Sequence, residues 1–485
     1  MSWPARGRRS ESLITVTGAT GFLGAHLLAA LLRRDDRPVC ALVRDDPATA
    51  RERLSRAVRS TGARWEEAEF QRRVTPVKID LPAPRLGLSA EDHHALARQT
   101  QELWHCAADT SPLGPVAALH RTNVEGTGRV LELLDAGERE ARLFHISTAF
   151  VAGERREGMV LEDTLDERYG FATLYEESKY RAEVLVRDWS QDKGRPAVVF
   201  RPSLLVTDRP ARTGEPRHWL AVQAARTSLL GRQGPALVLR ASGVPAEDVT
   251  FPYTARVPGR PDAVVNLLQV DWAVAAMLRC AAREPGEARG VGGAKGVNSP
   301  SGPSSPSTPS SPSSPSSPSS QGDPSGLDRA SDLLVTTYHV SHPQDCSVPW
   351  LMQIALETCD WLDVELDPEL TPERMRPLDR SLMRLAAGLD PYWWSRRGYD
   401  RSGLEAATAG LEPPAALSAQ YVRSGMTASS SSAGSACAGS ASAGTSPDGT
   451  SPPGTSPDST SPDSTPPAGT STAGSAPKGA VTAHV

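Results

Sequence analysis

LITVTGATGFLGAHLLAALL (13–32) is the stretch on which the fold turns. LITV is an apolar run of strand length, and AHLLAALLRR carries a continuous apolar helical face. TGATGFLG (17–24) therefore lies between a strand and a helix, the setting that a Gly-rich dinucleotide loop requires. Gly18 permits a tight turn, Gly21 lets backbone approach a pyrophosphate, and Gly24 allows close helix–strand packing. The exposed N–H groups at the helix start would receive the pyrophosphate. Gly18, Thr20, Gly21, Phe22, Leu23 and Gly24 are the loop's share of the expected cofactor site.

Beyond this unit the chain keeps alternating. RPVCALVR, RVTPVKID, ELWHCAA, ARLFHISTAF and PAVVFRP read as strands. PATARERLSRAVRST, AEDHHALARQ, HRTNVEGTGRVLELLDAG and YEESKYRAEVLVRDW read as the helices between them. Alternating segments with mostly apolar strands predict an α/β fold, a doubly wound parallel (Rossmann) sheet with helices on both faces. Such sheets bind ligands at the carboxyl ends of their strands. VVNLLQVDWAVAAMLRCAA reads as a further strand and helix, and LLVTTYHVS as another strand.

Between those two stretches lies SPSGPSSPSTPSSPSSPSSPSS (299–320), a Ser/Pro run with nothing to pack, and TSPDGTSPPGTSPDST marks a similar tail. The expected organisation is a flexible arm over 1–10 and a dinucleotide-binding domain over 11–200. A smaller C-terminal substrate-binding region follows over 201–290 and 330–425. A disordered Ser/Pro insertion covers 291–329, and a disordered tail 426–485. A formal net charge of −5 supplies no basic field for nucleic acid. The six cysteines lack CxxC spacing, which argues against a zinc site and fits a reducing compartment. No apolar run approaches the ~18 residues of a membrane span. We expect a cytoplasmic protein without a signal peptide.

The end of the second strand bears on which dinucleotide is bound. An NAD site would carry Asp or Glu there to accept from the ribose 2′-OH. VCALVR ends instead in Arg44, whose guanidinium suits the 2′-phosphate of NADP, although Asp45 and Asp46 adjoin it. A solvated strand-end arginine is the alternative. Asp80, closing VKID, stands where a carboxylate could accept from the adenine amino group. Leu81 and Ala107 complete the expected cofactor contacts.

HISTAF (145–150) places Ser147 and Thr148 at the ligand edge of the sheet. LYEESKY (174–180) then brings Tyr175 and Lys179 onto one helix face, since i and i+4 are neighbours there. A phenol titrates near 10 in water. A nearby ammonium, with an oxidised nicotinamide, would favour phenolate and lower that value. Lys179 could also hold the nicotinamide ribose, and Thr148 could donate to a substrate oxygen.

TGATGFLG, HCAADTS (105–111), NVEGT (123–127), HISTAFVAG, YEESK and RPSLLV (201–206) stand in an order and spacing that resemble the extended short-chain dehydrogenase/reductase family. VCALVR, IDLPAPRLGLS (79–89), STAFV and VVNLLQVDWAVAAML look like its thioester reductase and fatty acyl-CoA reductase ("male sterility") branch. The resemblance covers about 1–290 and, more loosely, 330–410. It implies Thr148, Tyr175 and Lys179 as the catalytic set and Asn123 as a structural residue. It further implies reduction by NADPH of an acyl thioester, carried on CoA or on a separate acyl carrier protein, to an aldehyde and possibly an alcohol. ADTS departs from the family's hydrophobic-Asn pattern after the HxAA strand, and the sequence offers no adenylation or carrier domain of its own.

Three other functions fit parts of the pattern. Nucleotide-sugar epimerases or dehydratases share the fold but usually carry the acidic ribose ligand. A hydroxysteroid-type dehydrogenase uses the same Thr-Tyr-Lys chemistry. A non-catalytic NADP sensor need not keep Tyr and Lys. His105 and His145 read as satisfied structural histidines, and Cys106 as packing. PYWWSRRGYD (391–400) either lines an acyl pocket and meets phosphates or packs the C-terminal segment, and RPARTGEPRHW (209–219) carries the same ambiguity.

Overall fold

The computed structural model describes residues 12–112, 114–137, 141–210, 212–283, 334–385 and 390–427. The expected N-terminal arm, the Ser/Pro insertion and the tail past residue 427 lie outside them. Seven parallel strands form the central sheet: β1 (Leu13–Thr17), β2 (Val39–Val43), β3 (Val74–Lys78), β4 (Thr100–His105), β5 (Arg142–Ile146), β6 (Ala197–Pro202) and β7 (Val335–Val340). Their order is β7-β6-β5-β4-β1-β2-β3, so the chain reverses direction between β1 and β4. That switch point is where a doubly wound sheet opens a crevice for ligand.

Strand alternation sorts the side chains into two cores. One face carries Ile14, Val16, Trp104, Phe144 and Phe200 against α1 (Phe22–Arg34) and α2 (Pro47–Ser60). Rings of Trp104, Phe144, Phe200 and Tyr338 run across four neighbouring strands, the first two with centroids 4.2 Å apart. The opposite face carries Leu13, Leu103, Leu143 and Val199 against α3 (Ala90–Gln99), α4 (Gly126–Asp135) and α5 (Leu174–Lys193). AEDHHALARQ forms the helix expected of it, its first turn capped by Ser89.

Two pieces that the sequence grouped with the substrate-binding region join the main body. Strand β7 pairs with β6 from Val335↔Ala197 to Val340↔Pro202. Helix α6 (Val270–Ala281) buries Val274 and Met277 in the same core as α1. A linear boundary misses this, because sheet pairing joins positions far apart along the chain. The smaller region is built from short pairings, Tyr253–Pro258 with Leu362–Asp367 and Glu157–Val160 with Arg396–Tyr399. No helix among the described residues is long and apolar enough to cross a membrane.

Candidate active site

The glycine loop has the geometry its composition suggested. Gly18 sits at φ +71°, and a Cβ there would come within 2.6 Å of the Ala107 amide nitrogen. A Cβ on Gly24 would lie 2.0 Å from the Gly18 carbonyl oxygen, so the helix start is pressed onto the turn. Any larger residue must force the two apart. Gly21 is the N-cap of α1 and no side chain caps the helix, leaving its first amides for a ligand anion. Thr17, absent from the sequence-based site, fixes the facing strand end. Its hydroxyl accepts from the amides of Cys106 and Ala107, both at 3.1 Å, and meets His105 Nδ1 at 2.8 Å.

Arg44 is exposed just beyond β2. The acidic neighbours that complicated its reading are otherwise engaged. Asp45 pairs with Arg53, and Asp46 caps α2 through the amides of Ala48 and Thr49. Arg44 itself has no ion pair among the described residues. Asp80, exposed, begins a tight loop in which its amide donates to Leu86 O at 3.0 Å. Leu81 is buried beneath that loop against Gly126, while Thr20, Phe22, Leu23 and Ala107 are half-buried around the crevice. These residues fit an NAD(P) dinucleotide: a glycine cradle, an uncapped helix start and an unpaired guanidinium.

Across the crevice, the start of α5 is set by a capping box. Thr173 accepts from the Glu176 amide at 3.2 Å, and the Glu176 carboxylate returns to the Ala172 amide at 3.0 Å. This places Tyr175 in the first turn and Lys179 one turn further in. Thr148 stands beside Tyr175, and its hydroxyl favours the phenolate form. Lys179, 2% exposed, donates from Nζ to Ile146 O at 2.7 Å. The structure thus brings Thr148, Tyr175 and Lys179 together at the carboxyl ends of β5 and its neighbours.

The electrostatics differ from the expected pattern. Burial raises the Tyr175 phenol to about 12, against the lowering effect of Thr148. Burial lowers the Lys179 ammonium to about 8, with Glu183 opposing. The ammonium is held on a backbone carbonyl, so desolvation rather than a cationic neighbour governs the free site.

Ser147, expected at the ligand edge beside Thr148, has another partner. Its hydroxyl donates to Glu183 Oε2 at 2.6 Å. Glu183 also binds Arg201 Nη2 at 2.6 Å and Arg187 Nη2 at 3.0 Å, and both Glu183 and Arg201 are fully buried. Asn123 lies in a π-helical turn, His120–Glu125. It clasps the Asp109 backbone through both amide atoms and donates to Ser178 Oγ at 2.8 Å. His105 is satisfied on both sides, by Thr17 and by Thr127. His145 is not: it is fully buried and neither ring nitrogen has a hydrogen-bond partner. Burial lowers both histidines, so the rings stay neutral beside Lys179. The Cys106 thiol is raised to about 12 by burial, which leaves no thiolate nucleophile.

The PYWWSRRGYD segment closes over this site. Tyr392 packs edge-on against Phe150 at 4.9 Å, and its hydroxyl reaches Glu176 at 3.4 Å. Its two arginines are committed elsewhere. Arg397 donates to the carbonyls of Gly153 and Arg155, and Arg396 pairs with Glu157 and Asp262. The segment therefore supplies apolar wall beside Tyr175 rather than a phosphate clamp. In RPARTGEPRHW, Arg209 pairs with Asp271 at 2.8 Å and His218 caps the helix Trp219–Gln233.

The family model described as male sterility protein matches residues 16–234. The chain is 36% identical over 209 residues to a nonribosomal peptide synthetase of Aspergillus flavus, covering 41% of this chain and 20% of that protein. It is 32% identical over 215 residues to the L-2-aminoadipate reductase large subunit of Penicillium chrysogenum, covering 41% of this chain and 15% of that protein. The chain thus spans a fifth or less of these curated relatives. The fold is similar to the terminal R domain of the myxalamid PKS-NRPS pathway, with TM-score 0.58 and 23% identity over 87% of this chain and 91% of that one.

Proposed function

We propose that this domain uses NADPH to reduce an acyl thioester, on CoA or on a carrier protein, to an aldehyde. The Thr148–Tyr175–Lys179 constellation carries the reading, set opposite an uncapped glycine cradle in a segment that the male sterility protein family model matches. The relatives' own descriptions, a peptide synthetase and an aminoadipate reductase, support a thioester substrate over a free alcohol or a nucleotide sugar.

A bound reduced nicotinamide supplies the hydride. The chain supplies the rest. A phenol raised to about 12 stays protonated at neutral pH, which suits a donor to an oxygen gaining negative charge. Tyr175 and Thr148 stabilise that oxygen, and Tyr175 gives it the proton as hydride adds to the carbonyl carbon. In the resulting hemithioacetal the C–S bond breaks, the O–H proton returns to Tyr175, and the thiolate takes a proton from water. An aldehyde and a thiol leave. A second round on the aldehyde would give the alcohol. Lys179 stands one turn from Tyr175 to hold the nicotinamide ribose.

The test is NADPH oxidation by the full chain on addition of acyl-CoAs of graded length and of acylated carrier protein. Thioester-dependent loss of absorbance with aldehyde formed supports the proposal. Dinucleotide binding without any thioester reduction would sink it.

Arg44 is the proposed 2′-phosphate ligand. Arg44→Ala should weaken NADPH binding by about 1.5–3 kcal/mol, roughly 10- to 100-fold, and leave NADH affinity unchanged. Equal effects on both dinucleotides in a fluorescence titration would return Arg44 to a solvated strand end.

The pH profile follows from Lys179. Its folded value, about 8, lies below that of a free ammonium, so the cation is present below pH 8 and lost as pH rises through it. We expect kcat/KM to fall about tenfold per pH unit above that point. Lys179→Arg should move the falling limb out of the measurable range. A wild-type profile flat well above pH 8 would show that the Lys179 charge plays no part.

A further inference from the structure

A cavity of about 580 Å3 opens away from the glycine crevice, between α1, the end of α2 and α6. Its volume falls within the roughly 300–1,000 Å3 typical of small-molecule sites. The floor is apolar, including Val274 and Leu278 from α6. Four basic side chains, His26, Arg33, Arg209 and Arg34, the last paired with Glu102 at 2.9 Å, and the carboxylate of Asp271 line much of the remainder.

Their pairing is incomplete. Arg209 is taken by Asp271 at 2.8 Å. Arg33 is exposed and has no ion pair among the described residues. His26 is 5% exposed, and its Nε2 has no hydrogen-bond partner. The nearest carboxylate oxygen, on Asp271, stands 3.8 Å away. His26 Nδ1 lies 2.9 Å from Phe22 O, so it carries a hydrogen and donates to that carbonyl. Nε2 is then the atom left over, a lone pair in the neutral ring and an N–H donor in the imidazolium. A buried polar atom without a partner is costly, and the ring that carries this one borders the cavity.

We infer that this cavity is a second ligand site, for a small carboxylate with a short aliphatic body. The carboxylate would lie between Arg33 and His26 Nε2, and the aliphatic body on Val274 and Leu278. The site does not depend on the proposed thioester chemistry.

Proton linkage follows from the geometry. The groups facing His26 are Asp271, Arg209, Arg33 and His218. In the free protein burial lowers the imidazole below its ordinary value, with Arg209 and Arg33 adding to that and Asp271 opposing. A carboxylate at Nε2 favours the imidazolium, so binding takes up a proton and tightens as pH falls.

Titration calorimetry of the full chain with octanoate, at about pH 6 and about pH 8, tests this. We expect saturable binding that is several-fold tighter at the lower pH, with proton uptake visible between buffers of different ionisation heat. Arg33→Glu should weaken it tenfold or more. His26→Asn, which keeps a donor for the Phe22 carbonyl, should abolish the pH dependence; thermal melts check that both variants fold. No saturable binding at millimolar octanoate would overturn the inference, as would binding indifferent to both substitutions. Inorganic phosphate binding as tightly as octanoate would overturn the aliphatic part.

Discussion

Tyr175→Phe should reduce thioester-dependent NADPH oxidation by about 10²–10⁴-fold, the range for removing a positioned proton donor. The substitution deletes one oxygen and leaves the ring against its neighbours, so dinucleotide affinity and melting temperature should hold. The loss should fall on kcat and kcat/KM together, because the phenol interacts most strongly with the oxygen as it gains charge. Thr148→Val should cost less, since one donor remains. Pre-steady-state measurement of hydride transfer separates chemistry from product release. A Tyr175→Phe enzyme within about threefold of wild type in that step would remove the proton donor from the mechanism. Suspicion would then pass to Lys179, whose value near 8 makes it the remaining acid in the site.

The second large effect is on stability. Glu183→Ala should destabilise the fold by about 3–5 kcal/mol, the cost of leaving a buried partner charge uncompensated. Arg201 is fully buried, and its guanidinium is held by Glu183 and by the carbonyl of Thr164 at 2.8 Å. Without the carboxylate, that cation stays in the core between α5, β6 and β7. Burial alone would raise the Glu183 carboxyl, but the Arg201 and Arg187 charges outweigh it and hold it well below the usual carboxylate range. A depressed folded value stabilises fully above the ordinary carboxylate pKa of about 4.3, and the effect fades as pH falls below it. The wild type should therefore lose stability through the acid range, and Glu183→Ala should lose less over the same interval. Exposed Arg181, paired with Glu177 at 2.7 Å, is the control: its alanine variant should cost at most about 0.5 kcal/mol. Urea denaturation measures both. A Glu183→Ala cost under about 1 kcal/mol would mean that Arg201 finds water or another acceptor. Because Ser147 bonds Glu183 and Thr148 follows it in the chain, a folded Glu183→Ala protein should also show disturbed Thr148 geometry and slower turnover.

Much of the candidate site was legible because it is local. Gly18 and Gly24 are constrained by atoms of the same turn and the adjoining strand end, and strand–Gly-rich loop–helix is a contiguous pattern. Tyr175 and Lys179 share a face through i,i+4 spacing alone. The helix before β5 was less legible. Its helical path begins at Val116, after Pro115, and passes through the π-turn His120–Glu125. The sequence reading began it at His120 and missed the apolar turn Val116–Leu119 before it. The extra backbone residue in that turn is what a residue-by-residue periodicity cannot register.

The inward face of α5 was the hardest to read. Its buried residues include Ser178, Lys179, Glu183 and Ser190, polar side chains where an amphipathic pattern expects apolar ones. Ser190 is completed locally by Arg195 O, but the burial of the other three is tolerated because residues remote in sequence complete them: Ile146 O for Lys179, Arg201 and Ser147 for Glu183, Asn123 for Ser178. The same holds for Tyr392, which reaches Glu176 across 216 positions.

The sequence by itself determined the strand–loop–helix motif, the parallel doubly wound sheet and the shared helix face of Tyr175 and Lys179, since each follows from short-range spacing and hydrophobic period. Only the tertiary structure decided the protonation of that set, the commitment of Ser147 to Glu183 and of both arginines in PYWWSRRGYD to other partners, and the unpaired His26 beside a second cavity. Those depend on desolvation and on contacts between distant segments, and both arise only when the chain has folded.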